Sequence, residues 1–457
     1  MKKIVASVGL VVLGASGMAR GQEAGATAYK PWNISATLRG FYDDNINTAP
    51  NGSPDKVGSS GFQITPSVNY AWQNDQTVFS ADYMYTFRYY ETRPAGNAQN
   101  YDQDNNFDIS LTHSFNERYQ AGVKDSFVIG QEADSLQQGA FLTEPQRVSG
   151  NNIRNFGQLS FNAAVAPTFG LSFGYVNSYW NYEDTQTNLV QNPPTPIFTG
   201  NNIIPSRAGQ NNRIEQAFNV DARWQLKPQT VGYVGVQYGV GNYTEDQAVA
   251  NYVYFGTPVA GSTLMADSRN YRSIWGYVGV DHNFTPDDSG SLRGGIRSTD
   301  YYNSPQDASD LSPYVMASLR HNYLEKSYFE VGFSYDRNAT DLIDPAYTVV
   351  GTTNGPVLQA VSVTLQQQSA VVYGSVNHYF LPNLSASATL TYQYSFFVGG
   401  QYNNDTEKDF LFGIVGQYDF NPFISASLGY NYDSVNSEVP DRSYNRNRVY
   451  VGVSATY

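Results

Sequence analysis

The sequence predicts an all-β protein, a transmembrane antiparallel β-barrel of about 18 strands with short periplasmic turns and long extracellular loops. Three observations predict this fold: a strict alternation of apolar and hydrophilic residues, a regular rhythm of short and long connections, and an amphipathic strand that ends at Tyr457. Each observation constrains a different property of the barrel, namely its two faces, its strand number and its closure.

The alternation is cleanest between residues 384 and 396. Leucine, alanine, tyrosine and phenylalanine occupy one set of positions there, and serine, threonine and glutamine occupy the set between them. The same pattern is found in residues 62–72 and 107–112. Because successive side chains of a strand point to opposite faces, the pattern predicts a sheet with one apolar and one hydrophilic face.

The connections alternate in length along the chain. From Pro31 onward a strand, a very short turn, a second strand and a long polar loop recur. Eight short turns and nine long loops join about 18 strands, an even number in the range of single-chain bacterial barrels. A soluble sandwich would also show alternation. The strand lengths, this rhythm and the aromatic residues at strand ends favour the barrel.

The last strand is expected to close the barrel and to direct its assembly. Val449, Val451, Val453 and Ala455 are apolar at every second position, and Tyr457 continues the series. In lipid every backbone polar group needs a partner, so a terminal strand must close the sheet. The strand also resembles the terminal aromatic signal of bacterial outer-membrane barrels, which predicts the barrel-assembly machinery as a partner. An ordinary edge strand of a soluble domain is the alternative.

The N-terminal residues predict export. A basic start at Lys2 and Lys3, an apolar stretch over residues 4–14 and small residues before Gly21 form the pattern of a signal peptide. We expect a signal peptide over residues 1–21, a short periplasmic segment over residues 22–30 and the barrel over residues 31–457. Cleavage after Ala24 is the alternative. These features predict the outer membrane of a Gram-negative cell.

Composition excludes several classes of protein. No segment has eighteen consecutive apolar residues, which excludes helical membrane spans. The net charge of −13 argues against nucleic acid as a partner, and the absence of cysteine excludes disulfides and thiolate metal sites. The 37 tyrosines suit a membrane–water boundary. Besides outer-membrane lipid, we expect lipopolysaccharide as a partner, bridged to acidic loops by divalent cations.

The four histidines occupy one place in the repeat. His113, His282, His321 and His378 each precede an aromatic residue and a short turn, on the apolar face. This pattern favours an aromatic girdle at headgroup depth over a metal or catalytic site, because the four belong to different hairpins. No nucleophile elbow, phosphate-binding loop or zinc-protease motif occurs. We therefore expect no enzymatic activity, no catalytic residue, no cofactor and no metal.

The hydrophilic face is the candidate pore lining. Its charged residues are Arg39, Arg88, Asp108, Lys124, Asp221, Arg223, Asp281, Arg293, Arg297, Arg320 and Glu330. Folding about Glu325, Asn116 and Asp287 predicts three cross-strand ion pairs: Arg320 with Glu330, Asp108 with Lys124, and Asp281 with Arg293. Such pairs can simply hold the register, or they can form a mixed-charge lining that sets selectivity. Both interpretations stay open at this point.

Two polar residues depart from the alternation. By the alternation along their strands, Asp125 and Asn177 occupy positions that fall on the apolar face. We expect a bulge or a strand end near each, unless the predicted register is wrong there.

The first two strands carry a family resemblance. Residues 38–46, with Tyr-Asp-Asp-Asn at positions 42–45, and residues 62–67, with Thr-Pro at positions 65–66, resemble the start of the putative beta-barrel porin family. The strand count, the rhythm and the terminal aromatic match that family over nearly the whole chain. The resemblance implies a porin-like channel and, since many members accompany exopolysaccharide export, a passage for exported polysaccharide with periplasmic export proteins as partners.

A second function belongs to a different class. A structural or adhesive surface protein would use its loops to contact partners and would have a closed lumen. Residues 338–365 form the loop that we expect to fold inward, because the loop has an apolar stretch at residues 349–363.

Overall fold

The structure is a computed structural model that describes residues 30–93, 99–131, 150–186, 188–191, 200–250, 252–254, 257–258, 263–305, 308–352 and 355–457. The predicted signal peptide and most of the segment over residues 22–30 lie outside the described residues.

Eighteen long strands form one sheet. They are β1 (Trp32–Asp43), β2 (Ser59–Gln73), β3 (Thr77–Tyr90), β4 (Tyr101–Ser114), β5 (Tyr119–Gly130), β6 (Asn152–Ala166), β7 (Phe169–Tyr182), β8 (Arg213–Lys227), β9 (Thr230–Tyr243), β10 (Tyr271–Asn283), β11 (Asp288–Tyr301), β12 (Ala308–Leu324), β13 (Ser327–Asn338), β14 (Thr364–Leu381), β15 (Leu384–Gly399), β16 (Thr406–Asn421), β17 (Ile424–Ser437) and β18 (Tyr444–Thr456).

The sheet is closed. Each strand pairs antiparallel with the next along the chain, and β1 also pairs with β18 in a register that joins Arg39 to Gly452. Backbone hydrogen bonds join Ile34 and Tyr457 in both directions at the end of the barrel that carries the short turns. The predicted closed antiparallel barrel and its 18 strands are therefore confirmed. Among the described residues, no helix is long and apolar enough to cross a membrane.

The two faces of the sheet are inverted relative to a soluble protein. Large apolar side chains are exposed on the outside, with Leu38 57% and Val451 60% exposed, whereas the inward Asp221 is 0% exposed. On β15, Leu390 and Tyr392 face outward, and Gln393 and Ser395 are buried inside. An apolar outer surface has lipid as its natural solvent, so the alternation read from sequence corresponds to a lipid face and a luminal face.

Side chains that cap backbone donors build the short turns. Asn116 Oδ1 accepts hydrogen bonds from the backbone amides of Arg118 and Tyr119 at 2.8 and 3.1 Å. Thr285 Oγ1 accepts from the amides of Asp287 and Asp288 at 3.2 and 3.0 Å. Asparagine and threonine favour such turns because their short side chains satisfy the backbone that leaves the ladder.

The first and last strands are also joined by side chains at the extracellular end. Asp43 accepts from Arg446 Nη2 at 2.5 Å and from Arg448 Nε at 3.2 Å, and it is almost fully buried. Next to it, Asp44 Oδ1 accepts from the amide of Asn447 at 2.7 Å. The Tyr-Asp-Asp-Asn segment therefore contacts the last strand directly, and its two carboxylates fasten the seam of the barrel.

Asp125 and Asn177 lie in regular ladders, so the bulge or strand end expected beside them is absent. Asp125 pairs with Ile109 and Gly157, and Asn177 pairs with Gly157 and Gln216, with no register shift near either residue. Both side chains therefore face outward.

Candidate functional site: the barrel lumen

The lumen is lined by the inner face of all 18 strands, and its charges come from alternate positions. The eleven candidate residues have the parity of this inner face: Arg39, Arg88, Asp108, Lys124, Asp221, Arg223, Asp281, Arg293, Arg297, Arg320 and Glu330. Their contacts with one another differ in part from those expected from the sequence.

One of the three predicted ion pairs is confirmed. Arg320 pairs with Glu330 across β12 and β13, and Arg320 Nη1 lies 3.5 Å from Glu330 Oε2. The guanidinium also stacks 4.0 Å from the ring centroid of Tyr328. The Arg320 side chain remains 45% exposed, so this pair lines a part of the lumen that solvent reaches.

The other two predicted pairs are wrong. Asp108 pairs with Ser126, not with Lys124, because the turn that Asn116 caps is centred on the next residue. Asp281 pairs with Ser291, not with Arg293, because the turn that Thr285 caps is centred one residue earlier than expected. A shift of one residue in the turn moves the opposing residue by two positions, which keeps the face but changes the partner.

The actual partners of these charges come from neighbouring strands. Asp281 Oδ2 accepts from Arg223 Nη2 at 2.6 Å, two strands away, and its other oxygen accepts from Ser291 at 2.8 Å. Asp221 accepts from the hydroxyl of Tyr277 at 2.6 Å. Arg88 lies 3.8 Å from Asp104. The wall from β8 to β11 is therefore a network of charges and tyrosines.

Aromatic side chains hold the arginines of this wall. Arg293 lies 4.5 Å from the ring centroid of Tyr277 and 5.2 Å from that of Tyr233, and Arg297 lies 4.3 Å from the ring of Trp275. Cation–π contacts fix a guanidinium without neutralising it. Arg293 on β11 therefore keeps its positive charge beside rings of β9 and β10, whereas Arg297 also pairs with Asp336 at 3.2 Å.

The two ends of the lumen differ in packing. Lys124, midway along β5, is exposed, and Arg320, near a short turn, is 45% exposed. Near the long loops, Arg213, Glu215 and Arg297 are buried. These luminal charges are therefore more accessible away from the long loops than beside them.

Arg269 joins three long loops at the extracellular mouth. It lies in the 3-10 helix Ala266–Arg269 between β9 and β10 and is 0% exposed. Its Nη1 donates to the carbonyl of Gln210 in the β7–β8 loop at 2.8 Å, and its Nη2 donates to the carbonyl of Thr340 in the β13–β14 loop at 2.6 Å. The guanidinium also lies 4.3 Å from the ring of Tyr243.

Further contacts between the long loops lie around the same rim. Arg442, in the β17–β18 loop, lies 2.9 Å from Asp341 and 3.0 Å from Glu407. An apolar cluster lies beneath them and consists of Tyr243, Val249, Ala250, Leu264, Ala266, Tyr301, Val363 and Leu365. The inward packing predicted for residues 338–365 is confirmed at both ends of that loop. Its middle forms the hairpin Ala346–Thr352 with Gly355–Ser362.

Sequence reasoning missed the residues that make this closure. Arg269 and Arg442 stand in polar loops, where a charged residue is normally solvated, and neither has a strand periodicity that predicts its direction. Only the tertiary contacts identify them. Apolar stretches such as residues 248–250 and 349–363 are the signals in the sequence that a loop packs inward.

The histidines lie at the periplasmic rim as the repeat predicts. His113 Nδ1 and His282 Nδ1 each lie 2.8 Å from a threonine hydroxyl, on Thr77 and Thr230 respectively. Each of the four histidines packs against the aromatic ring two residues later in the chain. Within the described ranges, no group of three or more histidine or acidic side chains could hold a metal ion.

Comparison with known proteins supports the family resemblance. A family model described as putative beta-barrel porin 2 matches residues 359–457, which include all of β14 to β18. No curated protein matches the chain.

Several solved structures are similar over most of the chain. They include OccAB4 of Acinetobacter baumannii (12% identity, 94% of this chain, 99% of that chain, TM-score 0.41) and the outer membrane protein opdK of Pseudomonas aeruginosa (11% identity, 93% of this chain, 99% of that chain, TM-score 0.40). The alcaligin outer membrane receptor FauA of Bordetella pertussis is a third (13% identity, 93% of this chain, 76% of that chain, TM-score 0.41). None of these similarities bears on what passes through the barrel. The chain is a closed 18-strand antiparallel barrel with an apolar outer face, and its last five strands match a porin family model.

Proposed function

We propose that this barrel is a passage for hydrophilic solutes across the outer membrane, and that its extracellular loops restrict the passage. The observation that carries the proposal is the inner face, whose charged residues occur on strands around the wall while the outer face is predominantly apolar. A barrel of 16 to 18 strands is wide enough to hold an aqueous channel. A purely structural barrel would need no accessible charges such as Arg320 and Lys124 in its interior.

The charges of the wall support a passage for small polar solutes. Arg223 on β8, Arg293 on β11 and Arg320 on β12 face the lumen, and Arg293 has aromatic rings around it in place of a carboxylate. Selectivity in such a pore is set by the charged side chains that line it. The candidate pore-lining residues are therefore proposed as the groups that discriminate between ions.

Exported polysaccharide is the cargo that the family resemblance implies, with periplasmic export proteins as partners. The aromatic rings of Tyr233, Trp275 and Tyr277 on the inner wall support this form of the proposal, since rings can stack on sugars. Their burial against one another limits the stacking surface that they offer. We also propose signal-peptide-dependent export, with assembly through the strand that ends at Tyr457.

One observation favours the second candidate function. Arg269 is fully buried where three loops meet, and such a contact suits a surface protein whose lumen is closed. The two functions differ in permeability, so they can be separated directly.

The test is swelling of proteoliposomes in neutral sugars of increasing size. A passage predicts swelling with small sugars that declines with size, and Arg269→Ala should raise the size limit because the loops lose their shared hydrogen-bond donor. Arg118→Ala is the matched control, since Arg118 lies in an exposed periplasmic turn. Swelling by neither the wild type nor Arg269→Ala, with both proteins folded, would favour the closed surface protein.

A further inference from the structure

The outer face of the barrel carries a polar patch inside its apolar band, which we call the polar face. It consists of Asp125 on β5, Asn155 on β6, Asn177 on β7 and Gln216 on β8. Asp125, Gly157, Asn177 and Gln216 are successive partners across these four strands. Outward positions on β1 and β15 hold only apolar and aromatic residues and one glycine over the comparable length.

The polar groups of this face satisfy one another only in part. Asn155 Nδ2 donates to both carboxylate oxygens of Asp125, at 3.0 and 3.1 Å. Gln216 Nε2 donates to the hydroxyl of Tyr175 at 3.1 Å. In the described part of the chain, the side-chain amide of Asn177 has no hydrogen-bond partner.

Asp125 lies at a depth where acyl chains, and not headgroups, surround the barrel. Asp125 lies six residues from Tyr119 at the periplasmic end of β5, which for a tilted strand is a rise of about 15 Å along the membrane normal. The apolar band of such barrels is about 25 Å tall, so the carboxylate lies well inside it. Acyl chains offer no hydrogen-bond partner, and an unpaired polar group in hydrocarbon is costly.

Gly157 has no side chain of its own in the middle of the patch, and the carboxylate of Asp125 covers its backbone. A Cβ at this position would lie 3.2 Å from Asp125 Oδ1, so the carboxylate extends over the bare backbone of Gly157. Asn177 flanks the same glycine from the other side. A hydrogen-bond acceptor and a free amide thus lie on the two sides of Gly157.

We propose that the polar face is the contact surface for a second copy of this chain in the same membrane. A two-fold contact places the same surface on both partners, so residue i of one copy meets residue j of the other and the reverse. The polar face is self-complementary in this sense, because Asp125 accepts hydrogen bonds and Asn177 and Gln216 can donate them. Transmembrane helices associate in a similar way: small residues allow the two backbones to approach closely, and polar side chains form hydrogen bonds between the partners.

The chain has no cysteine, so single-cysteine variants test this contact in the native membrane. Oxidation of Asn177→Cys barrels should give a disulfide-linked dimer. Tyr392→Cys, an outward position on β15 about half the circumference away, is the matched control and should remain monomeric. In a two-fold dimer, a residue lies beside its own copy only near the symmetry axis. The Asp125→Cys and Asn177→Cys chains should therefore also be co-expressed. A disulfide should form either between two copies of one variant or between the two variants.

The oligomeric state gives an independent measurement. Asn177→Leu should shift the wild-type dimer towards monomer in detergent or nanodiscs, while the folded barrel and its permeability are unchanged. A monomeric wild type, equal cross-linking at Asn177→Cys and Tyr392→Cys, or cross-linking of Asn177→Cys to a different protein would each overturn the proposal. Loss of the dimer together with retained sugar permeability would support it and would leave the proposed passage unaffected.

Discussion

At the scale of the residue, the parity of each position decides whether its side chain meets lipid or the lumen. Leu390 faces outward and Thr391, next to it on β15, faces inward. Parity can be read from sequence because the side-chain period of a strand is two. The face of a residue is therefore predicted well, even where its partner is not.

Arginine substitutions at these two positions test the facing. Leu390→Arg should impair assembly, because arginine on the lipid face costs roughly 2–4 kcal/mol at mid-bilayer. Thr391→Arg should be tolerated better, since its charge enters the lumen. Heat-modifiable migration of the membrane fraction measures folded barrel, and equal yields from the two variants would refute the assignment of faces.

The pair of Arg320 and Glu330 tests register and selectivity together. Reversing either charge places like charges opposite each other on β12 and β13, and reversing both should recover most of the loss. The coupling should be on the order of 0.2–1 kcal/mol, because the arginine is partly exposed. Double-mutant unfolding in detergent measures it, and a double variant no better than the sum of its singles would contradict the pairing.

The same substitution has a consequence for transport. Arg320→Glu alone should raise the preference of the pore for cations, because it replaces a luminal positive charge by a negative one. Reversal potentials in a salt gradient report the change. If Arg320 and Glu330 are coupled in stability but the ion selectivity does not change, the pair only stabilises the wall.

Asp344 makes the loop closure sensitive to pH. It lies between β13 and β14, and burial raises the pKa of its carboxyl from the ordinary 3.8 to about 6. Its carbonyl accepts from the amide of Gln401, and its carboxylate adds to the effect of burial in raising the pKa of Tyr402. Because the folded loop holds a proton that the free loop would release, its packing should weaken as the pH rises through about 6.

Hydrogen exchange measures this dependence. After correction for intrinsic rates, protection of residues 339–344 should fall between pH 5 and pH 7 in the wild type. Asp344→Asn should keep its protection across that range, and Asp55→Asn, in an exposed loop, should behave as the wild type. Equal pH dependence in Asp344→Asn would assign the effect to another group.

At the scale of the element, the seam between β1 and β18 is fastened at both ends. Asp43 binds Arg446 and Arg448 at the extracellular end. At the periplasmic end, Lys30 Nζ lies 3.8 Å from the ring centroid of Trp32 and 3.6 Å from that of Tyr457. The seam joins residues more than 400 positions apart, so these contacts form only when the whole sheet has closed.

Removal of the buried carboxylate should therefore weaken closure. Asp43→Ala leaves two guanidinium groups without this partner, and breaking a buried ion pair costs about 3–5 kcal/mol. We expect a lower temperature of heat-modifiable unfolding in detergent. Asp55→Ala, an exposed loop substitution, should leave that temperature unchanged, and an equal effect of both changes would show that Asp43 does not hold the seam.

The turns show where sequence reasoning lost accuracy among the elements. The sequence predicts the centres of two turns, the one after Asp108 and the one after Asp281, one residue away from the centres in the structure. The difference depends on which side chain caps the turn, and Asn116 and Thr285 make that choice through two hydrogen bonds each. Hydrophobic alternation is unchanged by a shift of two positions, so it contains no information on this point.

At the scale of the whole molecule, the sequence predicts the barrel but not its mouth. Strand number, closure and the two faces follow from periodicity and connection length, which are local properties. The meeting of three loops on Arg269 depends on strands β7, β9 and β13 lying around one rim, which exists only after closure. The buried cluster around Tyr243 and Val363 has the same origin.

The central claim is that a polar lumen forms an aqueous passage through an apolar-faced barrel. The most direct measurement is the conductance of the purified, heat-modifiable wild-type protein in planar lipid bilayers. We predict stable steps of current, larger for Arg269→Ala because the loops that cross the mouth lose their common donor. Silent bilayers containing folded wild type and folded Arg269→Ala would contradict the claim.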